Sequence, residues 1–156
     1  GQPALVEGLV SLSEQIQPSG FDLSLRRVDH LTSAGRMGHA SSDRSLPESI
    51  ILDFGDDGWV FLDPGTYLAT FNEVVNIPLD LMALARPRSS LIRSGVSLHT
   101  AVWDPGYQGR SQALLIVHNS DGFHIQHNAR LMQMVFFRLV QPLQRGYEGR
   151  YQGERP

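Results

Sequence analysis

Ile50-Ile51-Leu52-Asp53-Phe54, Trp59-Val60-Phe61-Leu62, Tyr67-Leu68-Ala69-Thr70-Phe71, Val74-Val75-Asn76-Ile77 and Leu81-Met82-Ala83-Leu84-Ala85 follow one another along the chain. Between them stand Gly55-Asp56-Asp57-Gly58, Asp63-Pro64-Gly65, Asn72-Glu73 and Pro78-Leu79-Asp80, each a turn signal. Short strands at such close spacing predict a sandwich or barrel. Working outward, Phe21, Leu23 and Leu25 alternate with Asp22, Ser24 and Arg26 in the period of a half-buried strand. Residues 96–102, 112–118, 123–125 and 131–140 supply further strands, and 88–95 a single helical turn. Towards the N-terminus, Leu5, Leu9, Leu12 and Ile16 recur at spacings of three and four, predicting one short amphipathic helix over residues 4–16. Residues 32–48 are polar and read as a long surface loop. From Arg145 onward the chain is rich in Gly and Tyr and free of aliphatic residues, so 145–156 reads as a flexible arm on a β domain of residues 1–144.

Composition narrows the function classes. A chain of 156 residues is long enough for one core. Its 41% hydrophobic and 19% charged fractions are those of a globular protein, and no apolar run approaches the roughly 18 residues of a membrane span. No basic, apolar and small-residue leader pattern opens it, so a cytoplasmic location is expected. The absence of cysteine excludes disulfide frameworks, thiolate zinc sites and cysteine nucleophiles together. A net charge of −3 argues against sequence-independent nucleic-acid binding. All 13 basic residues are arginine, a choice that suits bidentate phosphate contacts and equally fits a compositional bias.

Two segments carry chemistry. Arg88-Ser89-Ser90-Leu91 offers a guanidinium and two hydroxyls to anionic oxygens. Asp104-Pro105-Gly106-Tyr107-Gln108-Gly109 sets a carboxylate beside an aromatic ring, a pair able to orient a water or sugar hydroxyl and cover a ring face. Taken alone, Asp104-Pro105-Gly106 is also an ordinary turn, Ser89 and Ser90 an ordinary start to a helical turn, and Asp22 an ordinary strand acid on a solvated face. A lone His99 in an apolar strand is more often structural than a ligand. His124 and His127 are spaced so that a strand sends them to opposite faces, which argues against a zinc site.

In order, Pro18-Ser19-Gly20-Phe21-Asp22-Leu23, Pro87-Arg88-Ser89-Ser90-Leu91, Asp104-Pro105-Gly106-Tyr107-Gln108-Gly109, Ala129-Arg130-Leu131-Met132-Gln133-Met134 and the glycine-rich tail resemble the five motifs of the trimeric dUTPase and dCTP deaminase superfamily. The details look most like the archaeal-type dUTPases. The resemblance implies a distorted all-β jelly roll of the dUTPase-like β-clip kind. It also implies a homotrimer whose active sites borrow residues from neighbouring subunits, and hydrolysis of dUTP to dUMP and pyrophosphate with Mg2+. In that scheme Asp104 orients the attacking water and touches the sugar 3′-hydroxyl, and Tyr107 packs on the deoxyribose. Arg88, Ser89 and Ser90 hold the phosphates, Gln133 meets the phosphates or their waters, and Asp22 holds the metal through water. Arg145, Arg150 and Tyr151 are the tail's candidates for the γ-phosphate and for covering the base. Base selection is expected from main-chain groups of a hairpin within about residues 97–103.

Two departures bear on the choice of chemistry. Deaminases of the superfamily carry a glutamate on the strand after the Asp-Pro-Gly turn, and this chain has no acid between Asp104 and Asp121. Losing a positioned proton shuttle costs roughly 100- to 10,000-fold in rate. A dCTP deaminase, a bifunctional deaminase–dUTPase and a non-catalytic nucleotide-binding trimer therefore stand as alternatives to the hydrolase. Gly106 replaces the second aspartate usual in dUTPases, a match to the deaminase-like branch, and the usual Phe-Gly-Ser-Thr ending of the tail is absent.

Overall fold

The computed structural model describes residues 3–156. In chain order its elements are β1 (Val6–Glu7), α1 (Leu12–Gln15), β2 (Ile16–Gln17), β3 (Gly20–Leu31), a 3-10 turn (Ser41–Asp43), β4 (Ser49–Leu52), β5 (Trp59–Leu62), β6 (Gly65–Asn76), β7 (Leu81–Pro87), α2 (Ser89–Arg93), β8 (Val96–His99), β9 (Gln108–Val117), β10 (Phe123–Gln126) and β11 (Arg130–Arg138). The fold is all-β, as the strand runs predict, and jelly-roll-like, as the family resemblance implies. No helix among the described residues is long and apolar enough to cross a membrane.

Every named pairing is antiparallel, and the main path runs β7-β11-β3-β6-β9-β8. The long β3 joins two layers. Its first half, Phe21 to Ser24, pairs with β11, and from Leu25 on it pairs with β6, with a register shift between Leu25 and Arg27. A bulge at such a switch bends the strand from one layer into the next. Both faces of its first half are therefore covered, and Phe21 through Leu25 are all buried. The alternation in sequence predicts one solvated face; the layer crossing covers it. Phe71, Leu115, Met132 and Met134 complete the core between the layers. Each such side chain stabilises the fold by roughly 1.5–3 kcal/mol through its burial.

Three expectations need correction. The helix over 4–16 is a single turn, α1, with Leu12 and Ile16 exposed and Gln15 buried. Gly8 at φ +75 interrupts the segment, and the Gln15 side chain turns inward, where its Oε1 accepts from the Val10 and Ser11 amides. Asn72-Glu73 is not a turn but lies inside β6, where the register to β9 shifts between Thr70 and Val74. The strand expected over 96–102 ends at His99. Residues 32–48 form the expected surface excursion, tied by an isolated bridge between Arg36 and Ser45.

Gly20 shows how closely β3 approaches β11. A methyl group at this position would land on the Met134 carbonyl, so the glycine that opens the strand is a packing requirement.

Candidate active site

The functional residues fall into two clusters on one chain. The first forms where β3, β11 and the β7–α2 junction meet. Asp22 faces Gln133 across the β3–β11 ladder, and Gln133 in turn faces Arg86 of β7. Directly opposed residues share a face, so Asp22 and Gln133 present their side chains to the same side. Arg88, the residue before α2, anchors its backbone N–H on the Leu131 carbonyl at 2.9 Å. Its Nε lies 3.4 Å from Asp22 Oδ2, and Arg130 Nη1 lies 3.4 Å from the same oxygen.

Asp22 is only 2% exposed. Burial pushes its carboxyl above the ordinary range, while the guanidinium groups of Arg88 and Arg130 pull it back down. Two positive groups around one carboxylate leave a net positive corner, and Ser89 and Ser90 stand exposed at its edge on the first turn of α2. The sequence reading places Asp22 on a solvated strand face or at a metal; the structure buries it between two arginines. Of this pair, Arg130 lies in a quoted motif but carries no expected role.

The second cluster is a cleft of about 790 Å³. Asp104, Tyr107 and Tyr151 line it, as do Trp103, Ser111, Arg27, Asp29, Gln112 and Glu154. Asp104 is exposed and makes no ion pair among the described residues. Behind it runs a directed chain of hydrogen bonds. Trp103 Nε1 donates to Ser111 Oγ at 2.7 Å, Ser111 Oγ lies 3.1 Å from the Tyr107 hydroxyl, and Tyr107 donates to Glu154 Oε1 at 2.8 Å. Since the indole can only donate and Tyr107 gives its proton to Glu154, the serine passes its own to Tyr107. Burial holds the Tyr107 phenol neutral well above its ordinary value; the Ser111 hydrogen bond opposes this, and the neighbouring Glu154 adds to it. Burial also raises the Glu154 carboxyl. Tyr107 is thus a fixed wall of the cleft, 6% exposed, with its hydroxyl already engaged.

The tail lies along this cluster. Tyr147 N donates to the Pro105 carbonyl at 2.7 Å, Gly153 N to Gln108 O at 2.7 Å, and Arg110 N to Glu154 O at 2.8 Å. Tyr147 packs edge-on to Tyr107 with ring centroids 5.7 Å apart and reaches the core, which its glycine-rich surroundings hide in the sequence. Gly106 has φ +86, and a side chain there would meet Gly146 and the Tyr147 amide within about 3 Å. The missing second aspartate is therefore the room that the docked tail needs. Tyr151 lines the cleft. Arg145 and Arg150 are exposed and do not line it; Arg150 lies 6.0 Å over the Tyr151 ring.

The two clusters are separate within the chain. Asp22, Arg88, Ser89, Ser90 and Gln133 come together, and Asp104, Tyr107 and Tyr151 come together, but none of the first group lines the cleft. The sequence reading missed Arg27, Asp29, Ser111 and Glu154. The first two carry a signal, since i and i+2 on one strand share a face. Ser111 and Glu154 carry none, because only the folding of the tail brings them together.

Comparison with known proteins identifies the family. The dCTP deaminase-like family profile matches residues 5–139. A probable deoxyuridine 5′-triphosphate nucleotidohydrolase from Archaeoglobus fulgidus is 50% identical over 150 residues, covering 96% of this chain and 88% of the relative. One of the same name from Methanosarcina barkeri is 46% identical over 152 residues, covering 97% and 89%. Among solved structures, the 2′-deoxycytidine 5′-triphosphate deaminase from Agrobacterium tumefaciens superposes with TM-score 0.64 at 18% identity over 87% of this chain, which spans only 44% of that one. A variant of the Staphylococcus bacteriophage 80alpha dUTPase with dUpNHpp superposes with TM-score 0.51 at 13% identity, covering 92% and 95%. These two likenesses concern the fold; with the profile match and the archaeal relatives beside them, the chain belongs to the dCTP deaminase-like family.

Proposed function

We propose that this protein is a dUTP nucleotidohydrolase that assembles as a homotrimer, each active site joining the cleft of one subunit to the Asp22–Arg88 corner of the next. The observation that carries the chemistry is the inventory of acids around the cleft. Strand β9 has none, Asp29 is held by Arg27, and Glu154 is held by Tyr107, so Asp104 is left as the free carboxylate at the cleft wall. A proton shuttle for deamination has no place on β9, whereas hydrolysis asks only for an oriented water and a stabilised leaving group. The archaeal relatives, of which this chain covers 88% and 89%, bear the hydrolase name.

In this reading dUTP lies with its base and sugar in the cleft and its phosphates across the subunit boundary. Asp104 accepts a hydrogen bond from water and takes its proton as the water oxygen bonds to the α-phosphorus. The bond from that phosphorus to the bridging oxygen breaks, and pyrophosphate leaves. Arg88, Ser89, Ser90 and Gln133 bind the phosphates, and Arg88 absorbs charge that builds on the leaving group. Tyr107 supports the sugar, and the docked tail, with Tyr151 in the wall, excludes water. Arg145 and Arg150 remain the tail's candidates for the γ-phosphate. Exposed Leu84, Ile92 and Phe137, on the elements that build the corner, supply an apolar surface for the subunit contact.

A magnesium ion fits this site only as a passenger of the nucleotide. Among the described residues no three His, Asp or Glu side chains gather, and the one acid in the corner already faces two guanidinium groups. Asp22 would hold the ion through water, and the ion would contribute charge neutralisation on the phosphates. A cytoplasmic location fits an enzyme acting on free nucleotides.

The purified chain, incubated with dUTP, dCTP and dTTP plus magnesium, is expected to release pyrophosphate from dUTP and no ammonia from dCTP. Asp104→Asn should lower pyrophosphate release by about 100- to 10,000-fold while fold and dUTP binding persist. Undiminished turnover in that variant would remove Asp104 from its role.

A further inference from the structure

Arg27 and Asp29 project from one face of β3 and close on each other, with Nε to Oδ1 at 2.7 Å and Nη2 to Oδ2 at 2.9 Å. Asp29 is 3% exposed, and both of its oxygens face the guanidinium. A buried ion pair seldom stabilises a fold more than apolar residues of the same volume. What this pair offers the cleft is therefore the better account of its presence. Nη1 of Arg27 makes no hydrogen bond to protein among the described residues, and the cleft that the pair lines is mostly apolar, with Leu31, Leu46, Leu68 and Val102 also in its wall. Asp29 cancels the charge and locks the plane of the guanidinium. The result is an oriented N–H donor on the wall of a mostly apolar cleft, suited to a carbonyl on a flat ring rather than to a phosphate.

We infer that Arg27, held by Asp29, is a specificity-determining residue that donates from Nη1 to the 4-carbonyl oxygen of the pyrimidine ring, a role that rests on the nucleotide hydrolase reading above. Uracil presents an acceptor at that position. Cytosine presents an amino group, so two donors meet and both lose their partners. A site built to hydrogen-bond one group rejects the analogue that lacks it, because its own polar atom is then stranded.

The test compares kcat/KM for pyrophosphate release from dUTP, from dCTP and from the deoxyribonucleoside triphosphate of 2-pyrimidinone, which has hydrogen at the 4-position. The wild type should favour dUTP over the 2-pyrimidinone analogue by about 10- to 100-fold, the size of one hydrogen bond to a charged group. In a double variant, Arg27→Met with Asp29→Leu, the pair is replaced by apolar volume rather than broken. That variant should lose the preference through a fall for dUTP, while dCTP does not fall and gains whatever the donor–donor clash had cost it. An equal fall for dUTP and dCTP assigns Arg27 to structure or to the shared 2-carbonyl and overturns the inference. Equal wild-type activity on dUTP and the 2-pyrimidinone analogue overturns it without any variant. A wild type that releases pyrophosphate from none of the three removes the hydrolase reading itself.

Discussion

Replacing Glu73 by Gln tests how the polar interior of the sheet junction is held. Glu73 is 0% exposed and lies in the β6 bulge. Its Oε1 accepts from Gln15 Nε2 at 2.5 Å and from Ser24 Oγ at 2.6 Å, and its Oε2 accepts from Ser24 N at 2.9 Å. Gln15 Nε2 also donates to the Asp22 carbonyl, so the network steadies the strand that carries Asp22. A glutamine there has one acceptor oxygen and one amide nitrogen. With the oxygen towards Gln15, its NH2 faces the Ser24 N–H; flipped, it faces the Gln15 NH2. Either way two donors meet, at a cost of about 1–3 kcal/mol. In a chain of this length that is roughly 2–12 °C in Tm. The pH dependence has a definite sign. Burial raises the Glu73 carboxyl above its ordinary value, with the hydrogen bonds from Ser24 and Gln15 opposing. Its contribution is then fully present below the unfolded value near 4.5 and declines as pH rises through the folded value. Unfolding followed at fixed protein concentration from about pH 4.5 to 9 should show the wild-type advantage over Glu73→Gln shrinking with pH. An advantage that grows with pH would refute the dominance of burial over the hydrogen bonds, and a variant as stable as wild type throughout would refute the donor–donor argument.

Two further outcomes follow from the packing. Deleting residues 145–156 removes Tyr147, Tyr151 and Glu154 from the Tyr107 cluster, and kcat/KM for dUTP should fall by about tenfold or more as the cleft opens to water; unchanged turnover ends the role of the tail. Gly20→Ala sets a methyl group against the Met134 carbonyl, and chemical denaturation should show a loss of about 1–3 kcal/mol or more, whereas a neutral result would mean that β3 and β11 separate freely.

The strands were legible because their apolar runs are local facts, and the errors arose where distant partners decide. Nothing near Asn72-Glu73 shows that this polar pair is inside a strand, since its acid is satisfied by Gln15 and Ser24, 58 and 49 residues away in sequence. The spacing of Leu5, Leu9, Leu12 and Ile16 suits a helix, yet Gly8 and the inward-turned Gln15 break it. At the site, Asp104 and Tyr107 are neighbours in sequence and meet in one cleft. The Arg27–Asp29 pair shows in sequence only as two charges on one strand face; that it lines the cleft depends on Trp103 and Gln112, which come from elsewhere in the chain. The tail reads as an unpacked arm from composition, but hydrogen bonds to Pro105, Gly106 and Gln108 seat it.

The separation of the two clusters makes assembly itself testable. If each site takes Asp104 from one subunit and Arg88 from the next around a closed ring, the two residues never act from the same chain. Asp104→Asn and Arg88→Ala homotrimers should each be inactive, with a light-scattering mass near three times 17.3 kDa. Unfolded together in equal amounts and refolded, they form mixed rings. A working site then requires that the subunit supplying the cleft be the Arg88 variant and that its neighbour supplying the corner be the Asp104 variant. Random mixing meets both conditions in about one quarter of sites, so about a quarter of wild-type turnover should return from two dead proteins. Were the carboxylate and the guanidinium to serve one site from a single chain, every site in the mixture would still lack one of them. Turnover that stays at the level of the parent variants, in rings shown by mass to have mixed, would end the shared-site architecture and leave Asp104 without a phosphate corner to act on.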